Sequence, residues 1–97
     1  MMHVCAMAVE LHIPQATSLK AKRSVLASLI ETVRHRYPVA IAEVDHQDTW
    51  QRAALGISAV SGSARQVEEI LDDVERYIWS VPEVEVTQTT RTWLEPE

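Results

Sequence analysis

The densest group of residue types that could do chemistry is a short polar stretch near the middle of the chain. Carboxylate, imidazole, indole and guanidinium side chains follow one another there: Asp45, His46, Asp48, Trp50 and Arg52. A histidine with nearby carboxylates can bind a divalent metal ion or act as a general acid and base. This stretch therefore supports one hypothesis, a metal-dependent or acid–base enzyme or a small-ligand sensor.

The local geometry of an extended chain argues against that hypothesis. Neighbouring side chains point to opposite faces, so Asp45 and His46 converge on one ion only if the turn is sharply bent. A polar hairpin explains the same residues structurally, with Asp45 or Asp48 accepting a backbone hydrogen bond and Trp50 anchoring the base. We therefore expect no metal ion, no cofactor and no catalytic residue, and a protein that is not an enzyme.

A second candidate is a cluster of positive charge in a chain whose net charge is -5. Between residues 18 and 37 Glu31 is the only acid, and that segment holds five of the nine lysines and arginines: Lys20, Lys22, Arg23, Arg34 and Arg36. Cations in the first turn of a helix oppose its dipole, so their placement suggests an anion or phosphate site. The competing explanation is a solvated helix whose lysines pair with acidic residues elsewhere.

A regular succession of strands and helices must position these side chains. Alternating apolar residues predict strands near 3–13, 39–44, 51–61 and 83–94. Apolar stripes at helical spacing predict helices over 19–37 and 64–81, with Ser18 and Ser63 as N-caps and Gln66 completing a capping box. The elements follow one another in the order βαββαβ. Two amphipathic helices that join strands in this order can bury their apolar stripes on one face of a common sheet. Right-handed crossover connections then favour the split βαβ topology.

The predicted fold class is therefore α+β, a ferredoxin-like βαββαβ two-layer sandwich formed by one domain over residues 1–97. Its four-stranded antiparallel sheet should have the order 4-1-3-2, with two helices on one face. Five apolar side chains are predicted to lie between the helices and the sheet: Leu26, Leu29, Val67, Leu71 and Val74.

The opposite, open face of this sheet should carry mainly small residues. They are Ala6, Ala8, Ala54, Gly56 and Ser58. The face has no aromatic ring on which an RNA base could stack. A flat surface of small residues lets a second sheet approach closely, and we predict a homo-oligomer, most simply a dimer, that forms through it. The competing explanation is a monomer surface covered by long side chains from the edge strands.

Length and composition indicate the size of the domain and the cellular compartment of the protein. A chain of 97 residues can form one hydrophobic core without disulfides, and the single cysteine, Cys5, cannot make an internal one. The first residues lack the basic segment and the long apolar run of a signal peptide or membrane helix. We expect a cytoplasmic protein with no membrane partner.

Three segments resemble the YlxP-like family of small bacterial proteins of unknown function. The resemblance is carried by ELHIPQATSLKAKR at 10–23, AEVDHQDTWQRAALG at 42–56 and PEVEV at 82–86. It implies a ferredoxin-like fold, a cytosolic setting and genes that often lie beside those for translation initiation and for a ribosome-maturation factor. It supplies no catalytic residue. The leading hypothesis is a non-catalytic binding or assembly module whose basic helix contacts ribosomal RNA or a ribosome-associated protein.

Overall fold

Six regular elements follow one another in the predicted order. The structure is a computed structural model that describes residues 1–94. Its strands are β1 (His3–His12), β2 (Ala40–Asp45), β3 (Arg52–Ser61) and β4 (Glu85–Trp93), and its helices are α1 (Leu19–Arg36) and α2 (Ala64–Ser80). Within the described part of the chain, neither helix has the length and apolarity that crossing a membrane requires. Residues 95–97 of the predicted domain lie outside the described residues.

The four strands form one antiparallel sheet in the order β2-β3-β1-β4. This is the predicted order. The central strands β1 and β3 pair without interruption, from His3 opposite Ser61 to His12 opposite Arg52. The register of the edge strand β4 shifts beside Glu10, and that of β2 shifts after Glu43. Such irregularities twist an edge strand and interrupt the row of backbone groups that it presents to other chains.

Serine hydroxyl groups cap both helices, as predicted. Ser18 Oγ accepts a hydrogen bond from the Ala21 N–H at 3.0 Å, and Ser63 Oγ accepts one from the Gln66 N–H at 3.3 Å. The capping box of α2 closes through an additional serine, because Ser61 Oγ donates to Gln66 Oε1 and accepts from the Ser63 N–H. Each cap contributes about 1 kcal/mol by satisfying a free helical N–H group.

The hydrophobic core lies between the helices and one face of the sheet. Alternate residues of the central strands point into it, and the five helical residues predicted to be buried all belong to it: Leu26, Leu29, Val67, Leu71 and Val74. Cys5 is part of the same core, and its burial raises the pKa of its thiol. The thiolate is therefore disfavoured, and Cys5 is a packing residue and not a nucleophile.

Candidate functional site

A buried lysine holds the polar loop between β2 and β3 from the helical side of the sheet. Lys22 is 1% exposed, and its ammonium group donates to the carbonyl oxygens of His46, at 2.5 Å, and Thr49, at 2.8 Å. The same Nζ atom lies 2.8 Å from Glu43 Oε2, a distance typical of an ion pair although the geometry is not that of a hydrogen bond. Three oxygen atoms thus compensate the charge that burial removes from water.

This burial removes Lys22 from the predicted phosphate-binding surface. Lys22 shares the buried side of α1 with Leu26, Leu29 and Val33. Their spacing is helical, so the aliphatic stem of the lysine lies along the core and its ammonium group reaches the loop. Lys22 pairs with an acidic residue, Glu43, as the competing explanation proposed, but it does so in a buried position and not on a solvated face.

The other four cations of the predicted surface are exposed on α1. Arg34 Nη2 donates to the Ile41 carbonyl oxygen at 3.1 Å, and the Arg36 guanidinium lies 5.4 Å from the centre of the Tyr77 ring. Lys20 and Arg23 have no ion-pair partner within residues 1–94. The basic surface therefore consists of two pairs at opposite ends of the helix. Within residues 1–94 the first pair makes no ion pair and no side-chain hydrogen bond, whereas each member of the second pair contacts another part of the fold.

His46 lies at the sharp bend of the β2–β3 loop. Its φ angle of 63° falls in the left-handed region that residues other than glycine rarely adopt. Asp45 Oδ1 accepts a hydrogen bond from the His46 N–H at 2.8 Å, and the Thr49 N–H donates to the His46 carbonyl oxygen at 3.0 Å. The carboxylate of Asp45 is thus used to shape the turn, as the structural explanation of this loop predicted.

Gln51 joins the base of this loop to the end of β1. Its side-chain Nε2 donates to the carbonyl oxygens of Pro14 and Ala16, both at 3.3 Å, and its own carbonyl oxygen accepts from the Ile13 N–H at 2.9 Å. Trp50 was predicted to anchor the loop, but its side chain is 52% exposed. The hydrogen bonds of Gln51, and not the indole ring of Trp50, therefore join the base of the loop to the end of β1.

The imidazole of His46 reaches two charged residues on the open face of the sheet. Its Nε2 atom lies 3.4 Å from Glu10 Oε2 and 3.2 Å from Arg52 Nη2. The three residues of the alternative hypothesis, Asp45, His46 and Asp48, do not come together as metal ligands, and residues 1–94 contain no cluster of three metal-ligating side chains. The bend places a histidine between a carboxylate and a guanidinium group.

A shallow groove of about 370 Å³ crosses the open face. All four strands line it, with contributions from Ala6, Ala8, Val44, Gly56, Ser58 and Thr90. Two valines leave apolar surface exposed, since Val44 is 56% exposed on β2 and Val60 is 57% exposed on β3. Four of the five residues predicted to form a self-association face therefore lie together in one concave surface.

Ala54, the fifth predicted residue, contributes almost nothing to this surface. It is 5% exposed, because Glu10 on β1 and Asp45 on β2 are its neighbours across the sheet. The side chain of Val44 on the edge strand β2 lies close to Gly56. A Cβ atom at this position would lie 2.8 Å from Val44 Cγ1. A larger residue at position 56 would therefore push Val44 away from the centre of the groove.

The two ends of the open face differ in polarity. Five residues form what we call the polar end: Glu10, His12, His46, Arg52 and Glu85. His12 Nδ1 lies 3.3 Å from Glu85 Oε1, and Arg52 is directly opposite His12 on the neighbouring strand. The other end, which we call the apolar end, carries the cross-strand pair of Val4 and Val60. Residue spacing alone does not place His46 at the polar end, because the bend at this residue brings the loop beside Glu10.

Comparison with known sequences gives a family but no activity. Residues 4–91 match the family DUF503, described as a protein of unknown function. The chain is 46% identical over 78 residues to "Uncharacterized protein YlxP" of Bacillus subtilis (strain 168), an alignment that covers 80% of this chain and 85% of the relative. Neither description states a substrate or a partner.

Comparison with solved structures shows the fold. "De novo designed protein Foldit4" is 13% identical with a TM-score of 0.53, over 95% of this chain and 97% of the design. "De novo designed protein LFR1 1 with ferredoxin fold" is 16% identical with a TM-score of 0.55, over 96% of this chain and 86% of the design. These matches confirm the predicted ferredoxin-like sandwich and carry no information about function.

Proposed function

The chain belongs to the DUF503 family of proteins of unknown function, and we propose that it is a non-catalytic assembly module whose open sheet face binds a second copy of the chain. The observation that supports this proposal is a concave face of small and apolar residues that the two helices leave uncovered. Transfer of such a surface from water into a contact with another protein is favourable. Small residues such as Ala6 and Ala8 also allow a second sheet to approach closely.

The size of the open face fits a dimer. The two central strands contain ten residues each. With strands about 4.8 Å apart and a rise of about 3.3 Å per residue, the face measures at most about 19 by 33 Å. Two copies would bury at most roughly 1,200 Å² in total, which is the lower end of the range for specific interfaces. We therefore expect a small, reversible dimer.

Ala8→Glu is expected to convert the dimer into a monomer. Ala8 lies at the centre of the groove, where a second sheet would bury the new carboxylate without a partner. Light scattering coupled to size-exclusion chromatography at micromolar concentration measures the change. The matched control is Ala27→Glu, the same substitution at an exposed position of α1, which should remain dimeric. A wild-type chain that is monomeric under these conditions would overturn the proposal.

A second candidate function is the binding of structured RNA by α1. Its support is the exposed pair Lys20 and Arg23, which has no ion-pair partner within residues 1–94. Arg34 and Arg36 lie about 16 to 24 Å farther along the helix at a rise of about 1.5 Å per residue. Only an extended polyanion would contact both ends. The net charge of -5 limits such contacts to a few phosphates.

The double variant Lys20→Glu with Arg23→Glu is expected to abolish association with ribosomal particles at low salt. For the wild type, the logarithm of the binding constant should fall with the logarithm of salt concentration by about 0.7 to 0.9 per phosphate neutralised. Arg65→Glu with Arg76→Glu on α2 makes the same charge change outside α1 and serves as the control. Unchanged sedimentation of the α1 variant with ribosomal particles would show that this helix is only a solvated face.

A further inference from the structure

We infer that Glu10 and Arg52 pair across the interface between two copies and thereby set the orientation of the dimer, an inference that rests on the self-association proposed above. Both residues lie on the open face at its polar end. Glu10 is opposite Ala54, and Arg52 is opposite His12, so the two charges lie on adjacent central strands. Within one copy they form no ion pair with each other, and each contacts His46 instead.

His46 cannot satisfy both of these charged groups. Both contacts are made to the same atom, Nε2, at 3.4 Å from Glu10 and 3.2 Å from Arg52. A ring nitrogen that carries a proton donates to the carboxylate but cannot accept from the guanidinium, and a nitrogen without a proton does the reverse. At any moment one of the two charged groups therefore has no side-chain partner within residues 1–94 and is open to a partner from another chain.

The unequal ends of the face restrict how two copies align. A two-fold axis that runs across the strands would place the polar end of one copy on the apolar end of the other. Glu10 and Arg52 would then be buried against Val4 and Val60, without partners for their charges, which is strongly unfavourable. An axis parallel to the strands brings the two polar ends together instead. The distribution of polarity favours this second arrangement.

A two-fold axis parallel to the strands, midway between β1 and β3, places β1 of each copy over β3 of the other. Glu10 then faces the strand of the second copy that carries Arg52. Packed sheets lie about 10 Å apart, a gap that a glutamate and an arginine side chain together can bridge. A two-fold interface repeats each contact, so two reciprocal ion pairs close the polar end.

Charge reversal followed by mixing tests this arrangement. Glu10→Arg alone and Arg52→Glu alone each place like charges opposite one another at both pairs. Either variant should raise the dissociation constant of its own dimer at least about tenfold. When the two variants are mixed, both pairs of the mixed dimer again join opposite charges, so its dissociation constant should return close to that of the wild type. Fluorescence energy transfer between differently labelled chains measures each constant.

The results of this experiment distinguish a failure of the Glu10–Arg52 pairing from a failure of the proposed self-association. If Glu10 and Arg52 act only within their own chain, through His46, the mixture will dissociate as readily as the single variants, and the inference is overturned. Arg65→Glu and Glu69→Arg, which reverse an ion pair on α2, are the control and should leave dimerisation unchanged. A wild-type chain that never dimerises contradicts the proposed self-association itself.

Discussion

Replacing Lys22 with alanine is expected to destabilise the fold by about 3 kcal/mol, the lower part of the range for removing one partner from a buried ion pair. The change deprives Glu43 of its cation and the carbonyl oxygens of His46 and Thr49 of a donor. We expect the lower part of the range because the Glu43 side chain is 21% exposed, so it is not fully removed from water. Unfolding in urea, followed by circular dichroism, measures the loss.

Lys20→Ala is the matched control for this prediction. Lys20 lies in the same turn of α1 but is exposed, so its removal should leave the free energy of unfolding nearly unchanged. Hydrogen exchange gives a local test of the Lys22→Ala variant, because amides of residues 46–51 should exchange faster once the loop has lost its anchor. If Lys22→Ala is as stable as Lys20→Ala, the ammonium group does not stabilise the loop.

Leu71→Ala is expected to cost about 2 to 5 kcal/mol, the usual range for truncation of a fully buried leucine. Leu71 is 0% exposed and lies on the buried side of α2 with Val67, Val74 and Ile78. The substitution removes apolar contacts and leaves a cavity between the helix and the sheet. Leu94→Ala, at a position that is 60% exposed, makes the same change outside the core and should be close to neutral. A near-neutral Leu71→Ala would show that α2 does not pack through this side.

The fold was predictable because its signals are local and agree with one another. In β1 the alternation of Met7, Val9 and Leu11 with smaller or polar residues assigns one face to the core, and the structure buries that face. The stripe of α2 has the helical period, and Ser63 marks its start. Two such helices must pack on the same face of a four-stranded sheet. Because crossover connections are right-handed, only a few strand orders are then possible.

The candidate site was less predictable because it depends on contacts between distant residues. His46 meets Glu10 only because its backbone adopts a left-handed conformation, which no residue pattern in the loop announces. The face assignment of β2 was ambiguous, since its residues are mostly small or β-branched, and pairing with β3 decides it. Lys22 is different. It lies one turn before Leu26, in line with the apolar stripe, so the helical spacing is compatible with its burial, whereas its charge favours a position on the surface.

The central position of β1 has a consequence for how the protein is made. β1 is synthesised before α1, β2, β3 and α2, yet one of its neighbours in the sheet, β4, follows all of these elements in the chain. Until β4 is available, β1 presents an unpaired edge of ten residues whose alternate side chains belong to the core. Such edges recruit other unfinished chains. A chain that lacked the residues of β4 would therefore keep this edge of β1 unpaired and open to association with other chains.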